Sequence, residues 1–518
     1  MIDAMDRTYK TIDLFAGPGG LAEGFSSVRS KAGARVFPIA LSVEKEASAF
    51  STLRLRSFVR QFDKVPKQYH DYISGRISKQ EMIDACPAEW RKAEHETAML
   101  ELGRPEADLA LATRLSELAA DGTQDTVVIG GPPCQAYSLV GRARNRGIEG
   151  YDPAEDHRHF LYREYIGILR NLRPAAFVME NVKGMASAKV DGANIVDLIL
   201  ADLRAAGGVT DSYTLIPIVA DARGVLPGFL IRSENFGIPQ CRHRVILLGI
   251  RKDIADRLPI SMIEDAVLQP TEVSTTVADV LEGMPRLRSG LSRGHDSEAA
   301  WRVSVAQALR KAAAACRKDG SWLLSVAKRL SIAISEMEAA AATLPRTGTR
   351  PTSPKNNLLA DWISDAELDF LPNHESRGHM ASDLARYAFA AAFAEVHKRS
   401  PKASEFPRDL APEHQNWDSG KFADRFRVQI WDRPSTTVTS HISKDGHYFI
   451  HPDLTQCRSL TVREAARLQT FPDNYFFEGN RTQQFVQVGN AVPPLLARQI
   501  ALIVARLLGV DVDRSRIR

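Results

Sequence analysis

Cys134 stands directly after two prolines, in the stretch GGPPCQAYSLVGRARNRG from Gly130 to Gly147. The thiolate of cysteine is a strong nucleophile, and its surroundings decide how much of it forms. Proline fixes φ and offers no backbone donor, so Pro132 and Pro133 make a stiff bracket for the residue that follows. An ordinary cysteine in a strand-to-loop turn has the same local appearance. Other residues with chemistry-bearing side chains stand at the ends of apolar runs. Glu44 closes RVFPIALSVE and Glu180 lies near the end of AAFVMENV. Either could be a solvated strand-end carboxylate. In QCRHR, Gln240, Arg242 and Arg244 alternate, so a strand sends all three to one face. An exposed basic edge strand reads the same way.

The elements that must carry these residues follow from pattern. Thr11 to Phe15 reads as a strand, the glycines of FAGPGG as a turn, and the residues from Leu21 as a helix. A second strand ends on Glu44. This order of strand, glycine turn, helix, strand and acid is that of a nucleotide-cofactor half-fold. There is no Gly-Lys-Ser/Thr, which excludes a triphosphate P-loop, and the spacing is not GxGxxG, which disfavours a dinucleotide. Helical, charged sequence runs from about Ser57 to Leu118. Strands are expected at DTVVIG, AAFVMENV, TLIPIVA and RVILLGIR, with helices around His159–Leu172 and Asn194–Ala206. The fold class is therefore α/β, a doubly wound, largely parallel sheet with helices on both faces.

The pattern changes after about Arg251. Alanine-rich helices, broken by the linker PRTGTRPTSPKNN, occupy much of the segment up to about Gly420 and read as packing elements. The expected organisation is a catalytic core over 1–260, an inserted domain over 261–420, and a return to the core over 421–518. In RSLTVREAARLQTFP, Thr461 is the expected helix cap, with Glu464 three residues on.

Composition bounds the partners. The chain has 518 residues, 44% hydrophobic and 25% charged, as in ordinary globular proteins. The net charge of +4 permits a polyanionic partner without requiring one. Its five scattered cysteines form no CxxC or Cys/His cluster, which argues for a reducing cytoplasm and against a structural metal site. No apolar run approaches the ~20 residues that cross a bilayer.

FAGPGG, PPCQ, ENV, QCRHR and QVGNAVPP occur in one order, and together they resemble the ordered motifs of the DNA cytosine-5 methyltransferases of bacterial type. The resemblance covers roughly Thr11 to Arg251 and Phe422 to Ala505. It implies methyl transfer from S-adenosylmethionine to carbon 5 of a flipped-out cytosine in a specific duplex DNA sequence. Cys134 would add to carbon 6. Glu180 would hold the N3/N4 edge of the base and, if protonated, neutralise charge as the thiolate adds. Arg244 would contact the base carbonyl, with Gln240 and Arg242 at flanking motif positions. Phe15, Gly17, Gly19 and Gly20 would border the cofactor, Glu44 would hold its ribose, and Asn490 and Val492 would lie near its methionine end. Arg142, Arg144 and Arg146 would close over the DNA backbone. A restriction endonuclease or phage-defence partner is a family habit.

Two departures stand out. Lys45 follows the ribose acid where the family often has an aromatic residue, and no acid for the adenine amino group can be placed. The segment without motifs, about Val273 to Gly420, falls where the family holds its target-recognition region. Within it Asn373 to Tyr387, NHESRGHMASDLARY, is the expected contact cluster. Two alternatives remain: a transfer-RNA cytosine methyltransferase, whose branch typically carries a late Cys-Phe-Thr absent from this chain, and a DNA-binding regulator without turnover.

Overall fold

A computed structural model describes residues 7–120, 125–133, 161–187, 189–190, 193–220, 226–340, 343–348, 350–412 and 425–515. By internal contacts the chain divides into two units: Met1–Tyr69, Ile77–Val273 and Ala491–Arg518 form one, and His70–Arg76 with Ser274–Asn490 the other.

The first unit is built on one sheet. Its elements in chain order are β1 (Lys10–Leu14), α1 (Gly20–Ser26), β2 (Ile39–Glu44), α2 (Ala47–Arg60), β3 (Thr97–Met99), α3 (Pro105–Ala120), β4 (Thr126–Gly130), α4 (Leu161–Leu172), β5 (Ala176–Val182), α5 (Ile195–Arg204), β6 (Tyr213–Ile216), β7 (Leu230–Arg232) and β8 (His243–Arg251). The strand order is β3-β2-β1-β4-β5-β8-β6, with β7 also paired to β8. β3, β2, β1, β4 and β5 run parallel, whereas β8 is antiparallel to β5, β6 and β7. The fold is thus α/β with a largely parallel sheet, as the alternation of elements predicts. Strand order reverses between β1 and β4, and the carboxyl ends on either side of such a switch point form a crevice.

The composition of the strands explains their position. Val127, Val128 and Ile129 of β4 are all buried, as suits a parallel strand covered on both faces. On α4, Tyr162, Tyr165, Ile166 and Leu169 recur at helical spacing and bury one stripe against the sheet. Two strands escaped the pattern reading. β3 has only three residues inside the stretch expected to be helical, and β7 also has three.

In the second unit the alanine-rich helices α6 (Glu298–Asp319), α7 (Leu324–Ala339) and α8 (Ala381–His397) pack on one another around Trp301, Leu309, Leu330 and Phe389. They are packing elements, as their composition suggests. α9 (Val462–Leu468) and α10 (Arg481–Asn490) follow. Thr461 caps α9, and Glu464 completes the capping box. The Glu464 carboxylate is also the partner of Arg458, at 2.6 and 2.7 Å, with both side chains almost fully buried. A second buried pair, Arg467 with Asp473, lies at 2.7–2.9 Å.

The last helix, α11 (Pro494–Leu507), returns to the first unit and packs on α1. Length and mean hydropathy make Arg481–Leu507 a match for a membrane span, which corrects the expectation that no such run exists. Its most apolar window is 83% buried inside the protein, so that apolar surface is core. None of the described cysteines forms a disulfide.

Burial alone would raise the Glu464 carboxyl, but the adjacent Arg458 and then His451 outweigh it and hold it far below the usual 4.5. A depressed carboxyl contributes stability that is complete above its unfolded value and lost as pH falls below it. Burial lowers His374 and His451 to about 4, so the unfolded state takes their protons first as pH drops from 6.5. Urea unfolding of the wild type is therefore expected to weaken progressively from pH 6.5 to 4. Glu464→Ala leaves Arg458 buried without its carboxylate, which costs roughly 3–5 kcal/mol at pH 7. An unchanged urea midpoint in that variant would contradict the account.

Candidate active site

The sheet gathers the expected residues at one edge, the carboxyl ends of β1, β2, β4 and β5. After β1 the chain turns sharply, with Phe15 at φ 55°, Gly17 at φ 57° and Gly19 at φ 97°. A left-handed conformation is costly for phenylalanine and natural for glycine. The turn is held by the Ala16 amide donating to the Val43 carbonyl and the Gly19 amide donating to the Ala16 carbonyl, at 3.0 and 2.9 Å. Glu44 locks it from the neighbouring strand. Its Oε2 accepts from the Gly17 amide at 2.7 Å and its Oε1 from the Glu46 amide at 2.8 Å.

The far end of the chain closes this turn. A Cβ on Gly20 would lie 2.3 Å from the Val492 carbonyl oxygen, so only glycine permits the approach. Val492 is therefore brought to the turn. Asn490, the last residue of α10, is exposed and belongs to the other unit.

At β4 and β5 the same edge holds acid and base together. Glu180 Oε1 lies 2.7 Å from Arg244 Nε, and both side chains are largely buried. The register explains the pair. Val182 stands opposite Arg244 and Glu180 opposite Ile246, so Glu180 and Arg244 are diagonal neighbours on one face. The carboxylate also abuts the turn after β4, since a Cβ on Gly131 would stand 3.0 Å from Glu180 Oε2. Asn181 fixes that turn by donating to the Pro132 carbonyl at 3.3 Å, while its own Oδ1 accepts from the Val182 amide at 2.8 Å. Gly131 to Pro133 lead directly into Cys134. Cys134, Arg142, Arg144 and Arg146 lie outside the described residues.

The alternation of Gln240, Arg242 and Arg244 gives unequal environments. Gln240 and Arg242 are buried, and Arg244 is partly so. The Ser233 hydroxyl donates to the Gln240 carbonyl at 2.7 Å and accepts from the Arg242 amide at 3.0 Å, tying the motif down. Burial, and then the charge of Arg244, push the Arg242 guanidinium well below its usual range, while Glu180 pulls the other way. Arg242 thus sits within the field of the Glu180–Arg244 pair. His243, facing away, pairs with Glu234 at 2.7 Å.

Glu101 carries no motif in the sequence. It lies just beyond β3 and pairs with Lys45 at 3.2 Å, beside the strand end that carries Glu44. A three-residue strand leaves no periodic signal, so nothing in the sequence marked this position as a strand end. The cluster Asn373 to Tyr387, expected to contact DNA, is turned inward. His374 bonds Thr461 and the Pro285 carbonyl, Arg377 donates to the Ile442 carbonyl, and Tyr387 bonds His447. These groups are used within the fold, whereas Glu375 and Ser382 of the same stretch are exposed. Arg425 pairs with Asp445 at 3.3 Å.

The order of motifs, the strand ends they occupy and the acid–base pair beside the PPC turn point to one family, and comparison with known proteins decides it. Residues 116–505 match the family model described as C-5 cytosine-specific DNA methylase. The chain belongs to that family. It is 34% identical over 513 residues to the type II methyltransferase M.Bpa9945I of Bacillus paralicheniformis, covering 95% of this chain and 98% of the relative. The type II methyltransferase M.AgeI of Thalassovita gelatinovora is 28% identical over 518 residues, covering 95% and 98%. The DNA (cytosine-5-)-methyltransferase M.ApeKI of Aeropyrum pernix is 27% identical over 526 residues, covering 96% and 99%. The protein is thus an enzyme of the DNA cytosine-5 methyltransferase class. The family match begins after the glycine turn and Glu44, whereas the likeness to M.Bpa9945I spans nearly the whole chain.

Asn181 is the side chain that joins β5 to the turn before Cys134. Asn181→Ala removes these two hydrogen bonds in a buried setting and is expected to cost about 1–3 kcal/mol. Urea denaturation measures it, and a loss near zero would mean that the turn is held without Asn181.

Proposed function

We propose that this methyltransferase takes its methyl group from S-adenosylmethionine and places it on carbon 5 of a cytosine flipped out of a specific duplex DNA sequence. The observation that carries the reading is the Glu180–Arg244 pair at 2.7 Å against the Gly131 backbone, three residues before Cys134.

The residues after β1 and β2 fit the donor. A Cβ on Gly17 would meet nothing within 4 Å, so the turn has open space above it. Each Glu44 oxygen accepts one backbone hydrogen bond and keeps a second lone pair for a ribose hydroxyl. Phe15, Gly17, Gly19, Gly20 and Val492 would border the donor, with Asn490 close in sequence. Glu101 is the acid best situated for the adenine amino group, although it pairs with Lys45 here. When bound, S-adenosylmethionine supplies an electrophilic methyl group.

The chain's own residues do the rest. The Cys134 thiolate adds to carbon 6 of the ring and electron density moves to carbon 5, which takes the methyl group; loss of the carbon-5 proton to a base then expels the thiolate and restores the ring. Glu180 holds the N3/N4 edge as the covalent bond forms. Arg244 orients the base carbonyl while holding Glu180, and Gln240 and Arg242 support it from their buried positions. Arg142, Arg144 and Arg146 contact phosphates, which position the duplex without reading it. The segment from about Val273 to Gly420 selects the sequence, through groove contacts separate from the chemistry. The type II names of the relatives support a place beside a restriction endonuclease.

Two measurements test this reading. Wild-type protein is expected to form a stable covalent adduct with duplex DNA containing 5-fluorocytosine at the target, and Cys134→Ser is expected to form none and to transfer no methyl groups. Substantial turnover by the serine variant, or preferred methylation of transfer RNA, would sink the proposal. Exchanging 273–420 with the corresponding segment of a relative of different specificity should move methylation to that relative's site, read by bisulfite sequencing. An active chimera that keeps the original site would show that recognition lies elsewhere.

A further inference from the structure

Asp13 takes no part in the chemistry above, yet it occupies an unusual place. It lies within β1, fully buried, two residues before Phe15, where the glycine turn begins. Across the parallel register it stands beside Ser42, which is two residues before Glu44. Neither carboxyl oxygen of Asp13 has a hydrogen-bond partner among the described residues, and the Ser42 hydroxyl has none either. Burying a carboxylate in this state is expensive unless a counter-charge accompanies it.

Arg60 lies in its field, and the cations grouped with Arg60 are engaged elsewhere. Arg56 of α2 grips Glu23 of α1 at 2.5 and 2.8 Å. Arg60, also of α2, bonds Glu96 at 2.5 Å, and Gln61 reaches the other Glu96 oxygen at 3.1 Å. Arg35 donates to the Arg60 and Phe62 carbonyls. Arg56 and Arg60 are thus matched by Glu23 and Glu96, and among the described residues Asp13 has no ion pair. From β2, Glu44 adds negative charge, and Tyr165 of α4 lies within its field on the other side. Burial pushes Asp13 up to about 8, against the charge of Arg60, which favours the ionised form.

We infer that Asp13 is a proton-linked counter-charge for the methyl donor: a neutral carboxylic acid in the free protein that releases its proton to solvent when a sulfonium cation binds at the adjoining turn. This rests on the S-adenosylmethionine reading above. The donor carries a sulfonium charge and the spent product, S-adenosylhomocysteine, does not. An ionised Asp13 therefore favours donor over product, and the protein takes a proton back once the methyl group has gone. Because donor binding is coupled to deprotonation, donor affinity rises with pH until Asp13 ionises unaided near 8.

Isothermal calorimetry in two buffers of different ionisation enthalpy counts the protons. At pH 7 a group titrating near 8 that ionises fully releases about 0.9 proton per donor bound. The comparison is wild type against Asp13→Asn, since the difference cancels protons that the ligand itself gains or loses. The expected result is close to one extra proton from the wild type with S-adenosylmethionine and much less with S-adenosylhomocysteine. Equal proton counts in the two proteins overturn the inference while leaving the donor reading intact. Absence of any S-adenosylmethionine binding by the wild type overturns the donor reading itself. If Asp13→Asn fails to fold, difference infrared spectroscopy of the wild type decides. The band of a protonated carboxyl should vanish on donor binding and persist with the product, and its persistence under saturating donor overturns the inference.

Discussion

Gly20 and Gly24 of α1 press against the backbone and side chains of Val492 to Arg498, and the first unit depends on that approach. A Cβ on Gly24 would come within 2.5 Å of Ala497 and Arg498, as one on Gly20 would of Val492. Helices that touch at this range need residues without side chains on one partner. The contact joins the first helix of the chain to its last and holds α1 under the turn that carries Gly17. The Glu44 carboxylate then clasps that turn from β2, so the geometry of the glycine loop follows from packing at a distance from it.

The sheet order completes the arrangement. Parallel strands deliver their carboxyl ends to a common edge, where Glu44 clasps the glycine turn and Glu180 abuts the Gly131 turn. The buried ion pairs behind α1 and α2 have another effect. Arg56–Glu23 and Arg60–Glu96 pair off, and among the described residues Asp13 is left without an ion pair.

Much of the sheet was legible because parallel strands buried on both faces read as short apolar runs, and DTVVIG and RVILLGIR were such runs. The capping box at Thr461 was legible because its residues are adjacent in sequence. Glu180 and Arg244 could be named from their motifs, but their contact depends on an antiparallel register that the motifs do not specify. β3 was lost because three residues carry no period, and Glu101 was lost with it. The inward turn of His374, Ser376 and His379 was hidden for a different reason. Polar side chains at a recognition surface and polar side chains satisfied inside a fold have the same composition, and only the tertiary partners distinguish them.

The reversed direction of β8 has an evolutionary consequence. Glu180 comes near the end of its strand and Arg244 near the start of its own, so the two meet through the hydrogen-bond ladder between β5 and β8. The loops between Lys183 and Phe229, ahead of β7 and the Gln240–Arg242 segment, can lengthen, shorten or diverge while the ladder keeps acid and base in register. A lineage can therefore remodel the surface beside its reaction centre by insertion and deletion without re-deriving the pair, and relatives should differ most in length where the pair is least disturbed.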